Sequence, residues 1–215
     1  MMRYLLSAGL LCCLIAAAQE SPDLFAYVRA KAEKGDVKSQ ATLGHMYRKG
    51  EGVPKDAVEA AKWNRKAAER GDVHAQIDLG YMYEIGEGVP KDDAEAVKWY
   101  RSAAERGYAI AQGSLAFMYE KGRGVPKDDV EAVKWYRKAA EQGDAFAEDV
   151  LGSRYDRGEG VPKDQTEAYK WFLLAGAQGK IEAKEHAEKL ELNLTPQQRA
   201  DGQGRAREFK PLKSK

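Results

Sequence analysis

Apolar and small residues recur along this chain at helical spacing, in blocks that repeat every 36 residues. Between Asp72 and Gly107, the residues Ala75, Leu79, Met82 and Tyr83 fall at i, i+4, i+7 and i+8, which is one face of a helix. Gly86-Glu87-Gly88-Val89-Pro90 breaks that pattern, because glycine and proline end helices. A second stripe follows at Ala96, Trp99, Tyr100 and Ala103, and Gly107 stops it, which predicts a left-handed cap. Asp92 and Glu95 have the spacing of a capping box, repeated as Asp56/Glu59, Asp128/Glu131 and Asp164/Glu167. Each block is therefore a helix, a loop and a second helix.

The register never slips. Tryptophan returns at Trp63, Trp99, Trp135 and Trp171, and the loop proline at Pro54, Pro90, Pro126 and Pro162. Such a period predicts a stacked array in which no unit buries its apolar face alone, and which presents an extended surface rather than a closed pocket. The expected organisation is a signal peptide over 1–18, a capping helix over 19–35, repeats at 36–71, 72–107, 108–143 and 144–179, capping helices over 180–208 and a frayed tail over 209–215. In the N-terminal cap, Tyr27 takes the tryptophan position. In the C-terminal one, Thr195-Pro196-Gln197-Gln198 opens a helix with Thr as N-cap and Pro in the first turn. The tryptophans are expected in the core, with Trp171, near the end, mattering less. Gly44, Gly80 and Gly152 are expected to let paired helices approach, Ala116 standing in their place in the third unit.

The start of the chain changes the picture of where it works. Arg3, an apolar run from Tyr4 to Ile15 and Ala16-Ala17-Ala18 read as a secretory signal peptide, with cleavage after Ala18. The run is shorter than the roughly 20 residues that span a bilayer, so no integral span is expected after cleavage. Both cysteines, Cys12 and Cys13, lie in that segment, so a periplasmic or secreted product would hold together without disulfides. The formal net charge is +1 and the charges interleave, which speaks against a nucleic-acid partner.

The pattern Ala-x-x-x-Leu-Gly-x-x-Tyr, Gly-x-Gly-Val-Pro-x-Asp, Ala-x-x-Trp-Tyr-x-x-Ala-Ala and a final Gly, complete from Ala75 to Gly107, resembles the Sel1-like repeat. Ser39 departs from it in the first unit, as does Asn64 after Trp63. The resemblance implies an all-α fold, a right-handed α-solenoid related to tetratricopeptide repeats. It also implies an adaptor; the residues themselves show no convergent catalytic or metal-binding set, so the expected function is non-catalytic binding of a protein or peptide without cofactor or metal. The cysteine-rich Helicobacter branch, linked to penicillin binding, carries a disulfide in each repeat; this chain has no cysteine past Cys13. The alternative function is a cell-wall enzyme or ligand binder, β-lactamase-like or peptidoglycan-binding, which would need convergent titratable groups in a pocket.

Positions identical in every copy are accounted for by packing and caps; positions that change are free to recognise. On the first helix of each unit, the face opposite the core reads Lys38, Ala41, His45; then His74, Ile77, Tyr81; then Ile110, Gly113, Phe117; then Phe146, Asp149, Ser153. In tetratricopeptide-type solenoids that side lines the concave groove. The candidate binding residues are His45, His74, Ile77, Tyr81, Ile110, Phe117 and Phe146, the aromatic ones being candidate hot spots. His45, His74 and His186 form no evident metal set, and no His-Glu-x-x-His or phosphate loop appears. The recurrent Lys-Asp of the loop sits at a helix start, where a capping role suffices.

Overall fold

A computed structural model describes residues 24–212, and among them it contains helices and no strand. The expected signal peptide, its cleavage site and both cysteines lie outside the described residues. The helices are α1 (Leu24–Glu33), α2 (Val37–Lys49), α3 (Ala57–Glu69), α4 (Val73–Ile85), α5 (Asp93–Glu105), α6 (Ala109–Lys121), α7 (Asp129–Ala140), α8 (Ala145–Arg157), α9 (Gln165–Ala177), α10 (Ile181–Glu191) and α11 (Pro196–Glu208). Helix pairs follow the 36-residue period, so the fold is all-α and built of repeated helix–loop–helix units.

The chain divides into two compact units. The first holds the described residues up to Ala75 together with 87–89. There α1 packs on α2 and α2 on α3, around Val28, Ala32, Leu43, Met46 and Trp63. The second holds Gln76–Gly86 and the residues from Pro90 on. There the contacts run in series from α5 through α6, α7 and α8 to α9, which meets both α10 and α11. Its C-terminal cluster joins Tyr169, Phe172 and Ala175 to Ala183, Ala187, Leu190 and Leu194.

One loop geometry serves all four units. The backbone N–H of Asp56, Asp92, Asp128 and Asp164 donates to the carbonyl of Tyr47, Tyr83, Tyr119 and Tyr155, each at 3.0 Å. Each aspartate then caps the helix that follows, accepting from the N–H of Glu59, Glu95, Glu131 or Glu167. The return bond expected of a capping box is replaced by another. These glutamates pair instead with Lys62, Lys98, Lys134 and Lys170 three residues on, where opposite charges on a helix surface meet. The reciprocal box forms at α11, between Thr195 and Gln198. The second loop glycine is fixed by contact as well as conformation. Gly124 has φ +67°, and a Cβ there would stand 2.1 Å from the Asp93 carbonyl oxygen. Gly80 is a close approach of the expected kind, since a Cβ would meet the Tyr100 ring at 2.8 Å.

Trp63, Trp135 and Trp171 are buried, whereas Trp99 is half-buried. Lys66, Lys138 and Lys170 lie about 4 Å above the first three rings in a cation–π arrangement, the first two exposed and Lys170 largely covered. Trp171 is no looser than the others, because the chain end covers it. The tail expected to fray is docked over 209–212: the Phe209 ring meets Trp171 at 5.5 Å and the Leu212 N–H donates to the Glu141 carbonyl at 2.8 Å.

Candidate interaction surface

The row of changing residues divides between the units, with His45 and His74 in the first and Ile77, Tyr81, Ile110, Phe117 and Phe146 in the second. In the first unit His45 stands 3.8 Å from Glu51 and His74 is exposed. In the second, Tyr81, Ile110 and Phe146 are 43, 66 and 50% exposed, large values for such side chains. Their neighbours on the other face, Leu79, Met82, Leu115, Met118 and Leu151, are buried, so the helix periodicity sorts the two sets. Ile77 and Phe117 are half-buried. Cations attend the rings: Lys121 and Arg123 lie 5.6 and 6.0 Å from Phe117, and Lys180 lies 5.2 Å from Phe146. Among the described residues no ring contact joins Tyr81 to Phe117; Phe146 meets Tyr136 at 6.5 Å. At Gly113 a Cβ would touch nothing within 4 Å, which leaves open backbone between Ile110 and Phe117.

Polar structure missed by the sequence reading lies between successive repeats of the second unit. Arg123 donates to Glu84 at 2.8 Å and to Asp93 at 2.7 and 3.1 Å. Those bonds hold the Asp93 carboxyl below the usual carboxylate range. Glu84 also accepts from the Tyr100 hydroxyl at 2.8 Å. One period later, buried Arg154 bridges Glu120 at 2.9 Å and Asp129 at 3.3 Å, and Tyr136 donates to Glu120 at 3.0 Å. Burial alone would raise the Glu120 carboxyl, but Lys121, Arg154 and Tyr136 together bring it below the ordinary range. Burial, reinforced by the carboxylate, raises Tyr100 and Tyr136 beyond normal titration, so both remain donors.

A further signal lay in the register itself. Gln40, Gln76 and Gln112 become Glu148 in the fourth unit. Gln40 and Gln112 donate to the carbonyls of Ala32 and Ala104, each at 3.1 Å. A carboxylate cannot donate. Glu148 is 1% exposed; its Oε2 accepts from Gln178 at 2.8 Å and its Oε1 has no hydrogen-bond partner.

Among the described residues, no group of three or more His, Cys, Asp and Glu side chains could hold a metal ion. No helix among them is long and apolar enough to cross a membrane.

The comparisons agree with this architecture. The Sel1 repeat model matches residues 37–72, 73–108, 109–144 and 145–180, one residue later than the expected frames. A protective antigen of uropathogenic Escherichia coli with an SLR fold is 42% identical, with a TM-score of 0.72, over 74% of this chain and 34% of that one. This chain thus spans about a third of that antigen. A Sel1 repeat protein from Oxalobacter formigenes is 34% identical, with a TM-score of 0.72, over 85% of this chain and 75% of that one. Cysteine-rich protein B of Helicobacter pylori is 25% identical, with a TM-score of 0.50, over 61% of this chain and 94% of that one. No curated protein matches the chain. Four contiguous matches over most of its length, on helix pairs of the same period, make this chain a member of the Sel1 repeat family.

Proposed function

We propose that this protein is an exported, non-catalytic interaction module that binds a protein or peptide through the row on the first helices of its second unit. Sel1 repeat proteins are in general interaction scaffolds rather than enzymes. The observation that carries the reading is the exposure of Tyr81, Ile110 and Phe146 at positions that vary between otherwise matching repeats. Aromatic and aliphatic anchors flanked by cations suit a partner that buries apolar side chains, with charge setting its orientation. Export rests on Arg3, the apolar run and Ala16-Ala17-Ala18. That the Escherichia coli relative is a protective antigen accords with a place outside the cytoplasm.

A photo-crosslinking residue at Ile110 or Phe146, in cells expressing the full chain, should capture one protein. The same residue at Lys98 or Glu105, exposed on second helices, should not. Replacing Tyr81, Ile110 and Phe146 together by alanine should weaken that partner's binding by at least about 2 kcal/mol, with the melt nearly unchanged. Equal capture at all four sites, or full affinity in the triple variant, would refute the assignment to this row. An N-terminus at Met1 in a cytosolic fraction would refute export.

A further inference from the structure

At two successive junctions of the second unit an arginine fills the space between an acid late in a first helix and one opening the second helix. Arg123 sits between Glu84 and Asp93, and Arg154 between Glu120 and Asp129. Advancing one more period from Arg154 gives Leu190, and from the acids Asp156 and Gln165. No guanidinium takes the place there. Instead Gln165 donates to Asp156 at 3.2 Å, beside a cleft of about 360 Å³. Phe172 and Leu190, both buried, form its apolar lining; Arg157, Lys163, Lys189 and Asn193 supply donors.

The same shift in register changes the charge. Lys127, the counterpart of Lys163, pairs with Asp129 at 3.2 Å. Gln165 stands where that aspartate would be, and Lys163 has no ion-pair partner among the described residues. Lys189 has none either, and it occupies the position of Ser153. Arg157 shares its charge with Glu159 at 3.1 Å, and Asp156 is the one carboxylate among the lining residues. His186 is held from the side, its Nδ1 3.1 Å from Asp149 and its ring 5.0 Å from Phe172. Two ammonium groups without ion-pair partners at one cleft attract an anion more strongly than either does alone, against the single carboxylate of Asp156.

We propose that this cleft is a binding site for a carboxylate carried on a small apolar body. Lys163 and Lys189 hold the anion, and Phe172 and Leu190 take the body. The volume lies at the small end of ligand pockets, which favours one ring or one side chain over a larger molecule. None of the proposed anchors Tyr81, Ile110 and Phe146 lines this cleft, so each assignment can fail alone.

The test is calorimetric titration of the full chain with N-acetyl-phenylalanine and with its neutral amide. The acid should bind at least tenfold more tightly, and added salt should weaken it. Lys163→Gln with Lys189→Gln, both on exposed side chains, should remove that preference without moving the melt. Leu190→Arg with Gln165→Asp rebuilds the arginine clamp and should abolish binding by filling the cleft. A free-acid tetrapeptide ending in phenylalanine that binds tenfold more tightly than the single residue would identify a peptide terminus as the source. Equal affinity would identify a small acid. Equal binding of acid and amide, unchanged binding in the double lysine variant, or preference for benzylguanidine would each overturn the assignment.

Discussion

Arg154 reaches Glu120 at 2.9 Å from within a helix, whereas one repeat earlier Arg123 reaches Glu84 at 2.8 Å from a loop. Two positions in the period thus deliver the same cation to the same acids. The side chain of Arg154 is 8% exposed, where the other units place Met46, Met82 and Met118. Arg154→Met therefore fits by precedent but takes away the buried cation that Glu120 and Asp129 share, leaving them to the exposed Lys121 and Lys127. Losing charged hydrogen bonds to acids that keep a second cation costs about 1–3 kcal/mol. Urea denaturation should show a loss in that range, and Glu120→Gln added to Arg154→Met should recover part of it. A midpoint unmoved by Arg154→Met would mean that the clamp contributes nothing to stability.

Glu148 gives the fold a pH dependence of unusual sign. Burial, assisted by Asp144 and opposed by Gln178 and Lys170, pushes its carboxyl up to about 7, whereas the unfolded group titrates near 4.5. The native state keeps the proton through that interval and the unfolded state does not. This contribution is therefore complete below about pH 4.5 and is lost as pH rises to about 7. Glu148→Gln restores the amide of the other units and should flatten stability across the interval. At pH 8 it should gain roughly 2–3 kcal/mol over the parent chain. Urea midpoints measured from pH 4 to 8 check it, and parallel curves for the two proteins would contradict the burial of a protonated acid.

Two glycines should respond to alanine in opposite directions. Gly113 is inside α6 with nothing within 4 Å of an added Cβ, so Gly113→Ala should stabilise by about 0.5–1 kcal/mol. Gly124 has φ +67° and a carbonyl 2.1 Å from the added carbon, so Gly124→Ala should cost at least about 2 kcal/mol. Thermal melts of the two variants compare them directly.

The docked tail is testable by fluorescence. Phe209→Ala should uncover Trp171, shift its emission to the red, and cost about 1–2 kcal/mol through the lost ring contact and area. Trp171→Ala should cost about 3–5 kcal/mol, as much as Trp135→Ala.

The helices were legible because their cause is local. The stripe from Ala75 to Tyr83, the cap at Asp92 and the stop at Gly107 each depend on residues within one turn or loop. The exposure of Tyr81, Ile110 and Phe146 followed from the same periodicity. What depends on a neighbouring repeat was harder to see. That Glu59 would pair with Lys62 rather than close a capping box is a competition between two local bonds, which spacing alone does not decide. The tail residues Phe209 and Leu212 dock on partners far back in the chain, Trp171 and Glu141. Arg154 and Glu148 did leave a mark, as the positions where one repeat departs from the other three in polarity.

The paired arginines also constrain the order in which the repeats can be joined. Acids suited to the clamp occur at Glu84 with Asp93 and at Glu120 with Asp129; the first repeat has Arg48 and Ala57 at those positions. The repeats that bring Arg123 and Arg154 are the two that follow the acids. Although every block spells nearly the same motif, the blocks are not interchangeable: a shuffled chain that set the fourth directly after the first would face Arg154 with an arginine and an alanine. The series has a grammar, in which each unit is legal only behind its proper predecessor, and duplication of the second block would leave one pair of its acids, Glu84 and Asp93, without an arginine.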